Sequence, residues 1–421
     1  MTEDCMFPKW YTEKRRRAKE LLKAAKPAKY GSDIDLNAFN LQAPPHEKID
    51  ELTDLEKDVR EVSKLVGTRD DEEYRSGTYF QYDNDVVYLQ HSKSLKEKGL
   101  IIRSIDDAVQ TYPWLEKYWF KELPIGLDKY TTYVAANSVG GAFVWAQEGA
   151  RIEHPIQACL FMGADRAIQA PHNIIVAEPH SKVHLITGCT VHPKCETAAH
   201  VAATEIYVKE GAEVTWSMIH SWGENFHVRP RTGAVVEDGG TLMMNYVLLS
   251  PVKSIQMYPT VVLKGKGARV SFRNLILGRG KSNIDVGSGI ILSGEESRGE
   301  INSRAVIMDE ATIDMRGMLR GNKPGTKGHL ECRGLLLSDK AKARAHPNLD
   351  ARTNEADLTH EAAVGKIAEE ELFYLMTRGL SKDEATSLIA RGFLDTDIPG
   401  LPPTLQAEIG RIVSMTTKEV M

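Results

Sequence analysis

The sequence predicts a mainly β chain, a solenoid of stacked turn-and-strand units with helical segments at both ends. Three observations carry that expectation. From Thr78 to Leu337 the chain is a succession of short β-branched and aromatic runs bounded by Gly, Asp, Asn and Pro, among them TYFQY, IIVAE, EIYVKE, TLMMNYVLL and RVSFRNLIL. One polar turn recurs before them: Glu148-Gly149-Ala150, Glu210-Gly211-Ala212, Asp238-Gly239-Gly240, Lys266-Gly267-Ala268 and Asp309-Glu310-Ala311, with Glu178-Pro179-His180-Ser181 one residue longer. Helical periodicity is confined to the two ends. The organisation expected is therefore a helical region over 1–75, a β core over 76–350 and a helical region over 351–421.

Taken in order, the first helix is expected over Thr12 to Ala25, stopping before Pro27. Its basic run KRRRAKELLKAAK reads as a solvated face. Leu52, Leu55, Val59, Val62 and Val66 are spaced 3, 4, 3 and 4, which lines one helix face, with Thr53 and Glu56 as a capping box and Gly67 as the stop. In the β zone, the apolar residues that open strands lie at 152, 183, 214, 242 and 270, separated by 31, 31, 28 and 28. The next, at 313, follows after 43, room for two shorter units. Units that cannot bury their own face stack into a solenoid, whereas a sandwich repeats a strand every ~8–12 residues. No long helix separates the strands, which argues against βαβ topology. After Asp350, His360 to Arg378 reads as a helix ending at Gly379, and Ser381 with Glu384 caps another.

Composition narrows the function classes. Of 421 residues, 42% are hydrophobic and 26% charged, as in a globular chain. Fifty-three Lys and Arg against 58 Asp and Glu give −5, with no basic footprint for nucleic acid. No apolar run approaches the ~18 residues of a membrane span. The start MTEDCMFPKWYTEKRRR has no apolar signal core, so a cytoplasmic location is expected. Five cysteines, an odd number, point to reduced thiols.

Two constellations could carry chemistry. His180, His184, Cys189, His192, Cys195 and His200 put six soft or borderline ligands within 21 residues. Strand alternation equally sends some of them inward and some to solvent, and a thiol inside a β run packs as a small hydrophobe. The second set is Cys332 with His360 and Glu361, 28 and 29 residues later. A thiolate, an imidazole and a carboxylate suit iron or zinc, and they also suit a Cys-His nucleophile pair. Gly278-Arg279-Gly280-Lys281-Ser282 is half a phosphate loop, but the leading glycine would fall at 275, which is Leu, so it reads as a turn. The chain is expected to bind no nucleotide.

The stretch HEAAVGKIAEEELFYLMTRGLSKDEATSLIARGF (360–393) resembles the C-terminal signature of the SufB/SufD family of iron–sulfur cluster assembly scaffolds. GGAFVWAQEGARIEHPIQA (140–158), LITGCT (185–190) and LECRGLLLSDKAKARAHPNLD (330–350) resemble its core motifs. The resemblance implies a right-handed parallel β-helix and a non-catalytic scaffold of the SUF system, carrying its cluster transiently. Cys332 stands where SufB-type chains have a cysteine and SufD-type chains lack one. By the same resemblance Cys332 and Glu361 are the assembly candidates and Cys189 passes sulfur toward them; since an imidazole can complete an open coordination, His360 is expected as an auxiliary ligand. His220 and Trp222 fall where the family has Gln-x-Trp along that path, so His220 is a departure. Pro230 replaces a basic residue expected there, although Arg229 and Arg231 flank it. The implied partners are a sulfur donor, a second scaffold chain (a copy or a SufD-like paralogue) and a SufC-like ABC ATPase, completing a SufBCD-type complex. The ATPase is expected on the C-terminal helices: part of the apolar stripe 364, 367, 372, 375 and 376 packs on the β body, and the remainder, with Phe393 and the Pro-flanked tail (which lies outside the residues the structure describes), is the expected face.

Two other readings stand beside this one. A β-helix carbohydrate-active enzyme would need grouped acids and an aromatic groove, yet aromatics are 7% and no Asp-rich strand pair stands out. A zinc hydrolase would use the 180–200 cluster.

Overall fold

The structure, a computed structural model, describes residues 7–69, 75–90 and 93–394. It is a β-solenoid in which the chain alternates between two sheets, each strand pairing in parallel with its counterpart in the neighbouring turn. The first sheet stacks Gly77–Tyr82, Ile156–Met162, Lys182–Val191, Glu213–Ser221, Thr241–Leu248, Arg269–Gly278, Arg298–Ile307, Lys327–Leu336 and Asp357–Lys366. Asp85–Gln90 adds to its near edge antiparallel. The second sheet ends on Asn283–Leu292, Thr312–Gly321 and Lys342–Ala351.

The recurring polar turn is what makes each corner. Gly149, His180, Gly211, Gly239, Gly267, Glu296 and Gly325 all have φ between +58° and +70°, one left-handed residue two positions before Arg151 and before each first-sheet strand from Lys182–Val191 to Lys327–Leu336. Residues 278–282 form an equivalent corner, with Gly280 at φ +58° and the Ser282 hydroxyl donating to the Arg279 carbonyl. It is a turn, as the incomplete phosphate motif indicated.

Val183, Val214, Leu242 and Val270 are register partners on the first sheet, as their spacing predicted. The next two partners are Gly299 and Gly328. Residue 313 lies on the second sheet. The interval of 43 is therefore a step across the solenoid, and the stack was lost to view because glycine replaces the apolar residue. The second sheet is split where proline removes a ladder donor: Pro171, Pro230 and Pro259 separate short strand pairs. Asn283–Leu292, with no proline, spans both halves and pairs with Ser254–Met257 and Thr260–Leu263.

Seven helices are described: α1 (Lys9–Leu22), α2 (Lys57–Lys64), α3 (Lys93–Glu97), α4 (Ile105–Thr111), α5 (Lys129–Asn137), α6 (Glu369–Thr377) and α7 (Lys382–Leu394). The solenoid interior is the main core. A second apolar layer packs Leu52, Leu55, Val59 and Val66 with Ala390 and Leu394 of α7 on the first sheet. A third packs α1, α4 and α5 on the second sheet.

Three expectations are corrected. First, α4 and α5 interrupt the zone read as all β, because their short apolar faces resemble strands in sequence. Second, α2 begins at Lys57; the capping box sits one turn earlier, between Glu51 and Asp54, on a 3-10 turn. Third, His360 does not open a helix. Asp357–Lys366 is a strand paired over its whole length with Lys327–Leu336, and α6 starts only at Glu369, so the β body runs to Lys366 rather than 350. Helix formers such as Glu361, Ala362 and Ala363 yield there to ladder pairing. The Ser381–Glu384 box does cap α7: each backbone N–H donates to the other's side-chain oxygen, at 2.8 and 3.3 Å.

Candidate functional site

Strand register decides which of the singled-out residues can meet. On the first sheet Thr187, Met218, Tyr246, Asn274, Ser303 and Cys332 are successive register partners, one per strand, all buried in the interior. Their sequence separations are 31, 28, 28, 29 and 29, the repeat itself. The result is a file of mostly polar side chains running along an otherwise apolar interior. The Trp216 indole donates to Thr187 Oγ1 at 2.9 Å and Asn274 Nδ2 donates to Ser303 Oγ at 2.9 Å, so its polar groups are partly satisfied by one another.

Cys189 stands beside the start of this file, with Leu160 and His220 as its register partners. Five inter-strand steps separate it from Cys332, roughly 24 Å at ~4.8 Å per step. Around Cys189, Trp222 packs between His200 and His220 at ring distances of 5.1 and 5.4 Å, and the Tyr246 hydroxyl lies 3.3 Å from His220 Nδ1. His220 Nε2 and the Trp222 indole N–H have no partner among the described residues. Burial, and then the neighbouring His200, hold His220 well below the usual imidazole range. Burial pushes the Cys189 thiol well above its ordinary value, with Cys159 adding to the rise.

A histidine on the same face as Cys189 would favour its thiolate, and His184 and His192 are the nearest in sequence. They do not share that face: His184 bonds Ser217 on the outer face at 3.3 Å, and His192 packs edge-on against Phe161 of the outer layer. The other members of that constellation also disperse. His180 is an exposed turn residue, Cys195 sits in a loop with its thiol against the Ala164 carbonyl at 3.5 Å, and His200 bonds Gln169 on the second sheet at 2.9 Å. Among the described residues no three His, Cys, Asp or Glu side chains converge as metal ligands. Arg229 and Arg231, beside Pro230, lie outside the interior: they clasp Tyr130, with ring distances of 5.6 and 4.9 Å, and Arg231 pairs with Asp128 at 2.7 Å.

At the far end the last strand completes the picture. Cys332 pairs with Ala362, Leu330 with His360 and Glu331 with Glu361. His360 therefore shares the inner face with Cys332, while Glu361 points to the outer face. There Glu331 is 3.1 Å from Arg333 and 3.7 Å from Arg304, and Arg333 is 3.9 Å from Glu361. Cys332 is buried, and desolvation followed by Glu331 lifts its thiol to about 11. His360 and Glu361 are exposed, since nothing described covers the last turn. Tyr246, Asn274 and Ser303 were missed from sequence, although sliding Cys332 back by the repeat would have found them.

The C-terminal helices are also partly sorted. Phe373, Tyr374 and Met376 of α6 are exposed, at 68%, 58% and 43%, as is Val364. Ile367 and Phe393 pack against the β body instead, and the Arg304 guanidinium donates to the Phe393 carbonyl at 3.1 Å. Phe393 is thus body-facing rather than part of the free surface expected of it.

Comparison with known proteins adds the decisive observation. Residues 160–393 match the family model described as SUF system FeS cluster assembly, SufBD core domain. The chain belongs to the SufBD family. It is 43% identical over 398 residues to an iron-sulfur cluster assembly SufBD family protein of Methanothermobacter thermautotrophicus, covering 93% of this chain and 96% of that one. A relative of the same description from Archaeoglobus fulgidus is 42% identical over 362 residues, with 86% and 96% covered. One from Pyrococcus horikoshii is 36% identical over 416, with 97% and 93% covered. The chain is an iron–sulfur cluster assembly protein of the SufBD type. Among the described residues no helix is long and apolar enough to cross a membrane.

Proposed function

We propose that the chain is a SufB-like scaffold: sulfur is received at Cys189, moves along the interior file and is built with iron into a cluster beginning at Cys332. The observation that supports this is the file itself, polar side chains at one register from Thr187 to Cys332 inside an apolar core. In the first step the Cys189 sulfur attacks the outer sulfur of a donor's persulfide. A Cys189 persulfide forms and the donor leaves as a thiol; two equivalents of a small external thiol then reduce that persulfide, restoring the Cys189 thiol and releasing hydrogen sulfide into the file, with a disulfide as the other product. The buried thiol must give up its proton to react, and His220, neutral with Nε2 unpartnered, relays it to the departing donor thiolate. Trp222 closes the apolar wall beside it.

Thiolate suits iron, and fewer than four thiolates leave a cluster free to depart. Cys332 and His360, on one face, are the first ligands in this reading. Glu361 joins only when the edge strand Asp357–Lys366 turns its outer face inward or a second scaffold chain, a copy or a SufD-like paralogue, meets this end. A SufC-like ABC ATPase docking on α6 through Phe373, Tyr374 and Met376 would drive that rearrangement. The chain then acts as a scaffold rather than an enzyme, and holds its cluster transiently in the cytoplasm.

Anaerobic loading tests this in two arms. With iron and sulfide, the wild-type protein gains a visible chromophore and Cys332→Ala does not. With iron and a persulfide donor, Asn274→Leu, which plugs the file, and Cys189→Ala both fail, while both still load from free sulfide. Full loading of Cys332→Ala would overturn the site, and donor-fed loading of Asn274→Leu would overturn the path.

A further inference from the structure

Among the described residues, nothing covers the outer face of the first sheet near the starts of its later strands. There Arg269, Arg298 and Lys327 are register partners on three adjacent strands, and all three are exposed. Three cations therefore stand in a row at the inter-strand spacing of ~4.8 Å. None makes an ion pair among the described residues. Like charges directly opposite one another destabilise a sheet, and elsewhere the solenoid offsets its ladder charges. Lys182 pairs with Glu213 in this same row at 2.8 Å, Arg316 with Asp285 at 2.7 Å, Arg344 with Asp314 at 2.7 Å and Lys340 with Glu310 at 3.0 Å. Arg298, with a like charge on both sides, is the exception; the row then continues to Asp357, the register partner of Lys327. The row borders an open groove of about 440 Å³ whose lining includes Met243, Ser271, His329 and Thr359.

We infer that this groove is a docking site for an acidic helical segment of a partner protein. Guanidinium groups bind carboxylates through two parallel hydrogen bonds, so the two arginines favour Asp or Glu over a diffuse field. The spacing selects the backbone form. Acidic residues three or four apart on a helix stand ~5–6 Å apart and keep step with the ladder over three positions. Same-face residues of an extended segment stand ~6.8 Å apart and are out of step by the third. The helix lies along the solenoid axis, crossing the strands, with Met243 offering an apolar contact. Glu300 and Asp357 in the lining, and the net charge of −5, oppose a continuous polyanion such as nucleic acid. The surface lies on the opposite face of the sheet from the sulfur file, so it stands independently of the path proposed above.

The test uses the full chain and a labelled helical peptide with Glu at i, i+4 and i+7, beside its Gln counterpart. The Glu peptide binds and the Gln peptide binds about tenfold or more weakly. Raising NaCl from about 0.05 to about 0.5 M weakens the Glu complex. Arg298→Glu weakens it by about tenfold, whereas Lys253→Glu, exposed on the other side, leaves it unchanged. Equal binding of the two peptides, indifference to Arg298→Glu, or tighter binding of single-stranded nucleic acid overturns the inference. A second measurement needs no ligand: Arg298→Thr raises the thermal midpoint by relieving the ladder, while Arg316→Thr lowers it. A lowered midpoint for Arg298→Thr means the ladder is already compensated, which also overturns it.

Discussion

The two ends of the solenoid are built from one repeat and finished in opposite ways. At the near end both outer faces are covered, and buried polar groups lock the cover in place. Glu205, fully buried, accepts the backbone N–H groups of Phe120, Lys121 and Glu122 at 2.7–2.8 Å, the Tyr207 hydroxyl at 2.9 Å, and lies 3.0 Å from His172 Nε2. Phe120 is held left-handed, at φ +50°, to aim that loop. At the far end Asp357–Lys366 is an uncovered edge strand whose side chains are nearly all exposed. An unpaired edge with an open inner face is a liability that folded chains normally hide, and among the described residues nothing hides this one. The buried polar lock lies at the near end, and the proposed site lies at the far one.

The largest effect that can break this comparison is at Glu205. Glu205→Ala strands several buried N–H donors and His172, and a loss of about 3–5 kcal/mol is expected in urea unfolding. His360→Ala and Glu361→Ala, at exposed positions, should each stay within about 0.5 kcal/mol of wild type. Equal losses at the two ends would erase the distinction drawn here.

A second, smaller effect is pH. Burial lowers His200 to about 3 and His184 to about 4 from 6.5. A histidine depressed in the folded state is neutral there while the unfolded chain binds a proton below pH 6.5. Stability is therefore complete above about 6.5 and falls as the pH drops toward 4. The loss is at most ~1.4 kcal/mol per pH unit for each group. Chemical denaturation between pH 7 and 5 should show a loss on the order of 4 kcal/mol, less in His200→Gln. A pH-flat midpoint would mean the interior admits water and is not the closed file inferred for sulfur.

How much of this was legible in the sequence follows from what sequence encodes. The corner turns, the repeat and the Ser381–Glu384 cap are local, and each was read from residue type and spacing. What was hidden is relational. Face is parity within a strand, so His184 and Cys189, five apart, oppose each other, as do Cys332 and Glu361 once their strands are paired in register. Gly299 and Gly328 erased the apolar mark of the stack where it mattered most. His360 to Lys366 was read as the start of a helix because its composition favours one, and only pairing with Lys327–Leu336 reverses that. The family resemblance named Cys332, His360, Glu361 and Cys189; it did not reveal that two of the three assembly candidates share a face and the third does not.

The smallest expected effect sharpens where the far end stops. Helix α7 is anchored by Ala385, Ala390 and Leu394 and opened by its Ser381–Glu384 capping box. Ser381→Ala removes one side of that box and should cost about 1 kcal/mol, confined to the helix. Hydrogen exchange should quicken over the first turns of α7 while the amides of Lys327–Leu336 stay protected, because helix and strand open as separate units. If the exchange change spreads into the strand that carries Cys332, α7 and the last turns form one cooperative body. A partner pulling on the C-terminal helices would then move the assembly cysteine directly, and the rigid near end would extend further along the solenoid than its covered surface indicates.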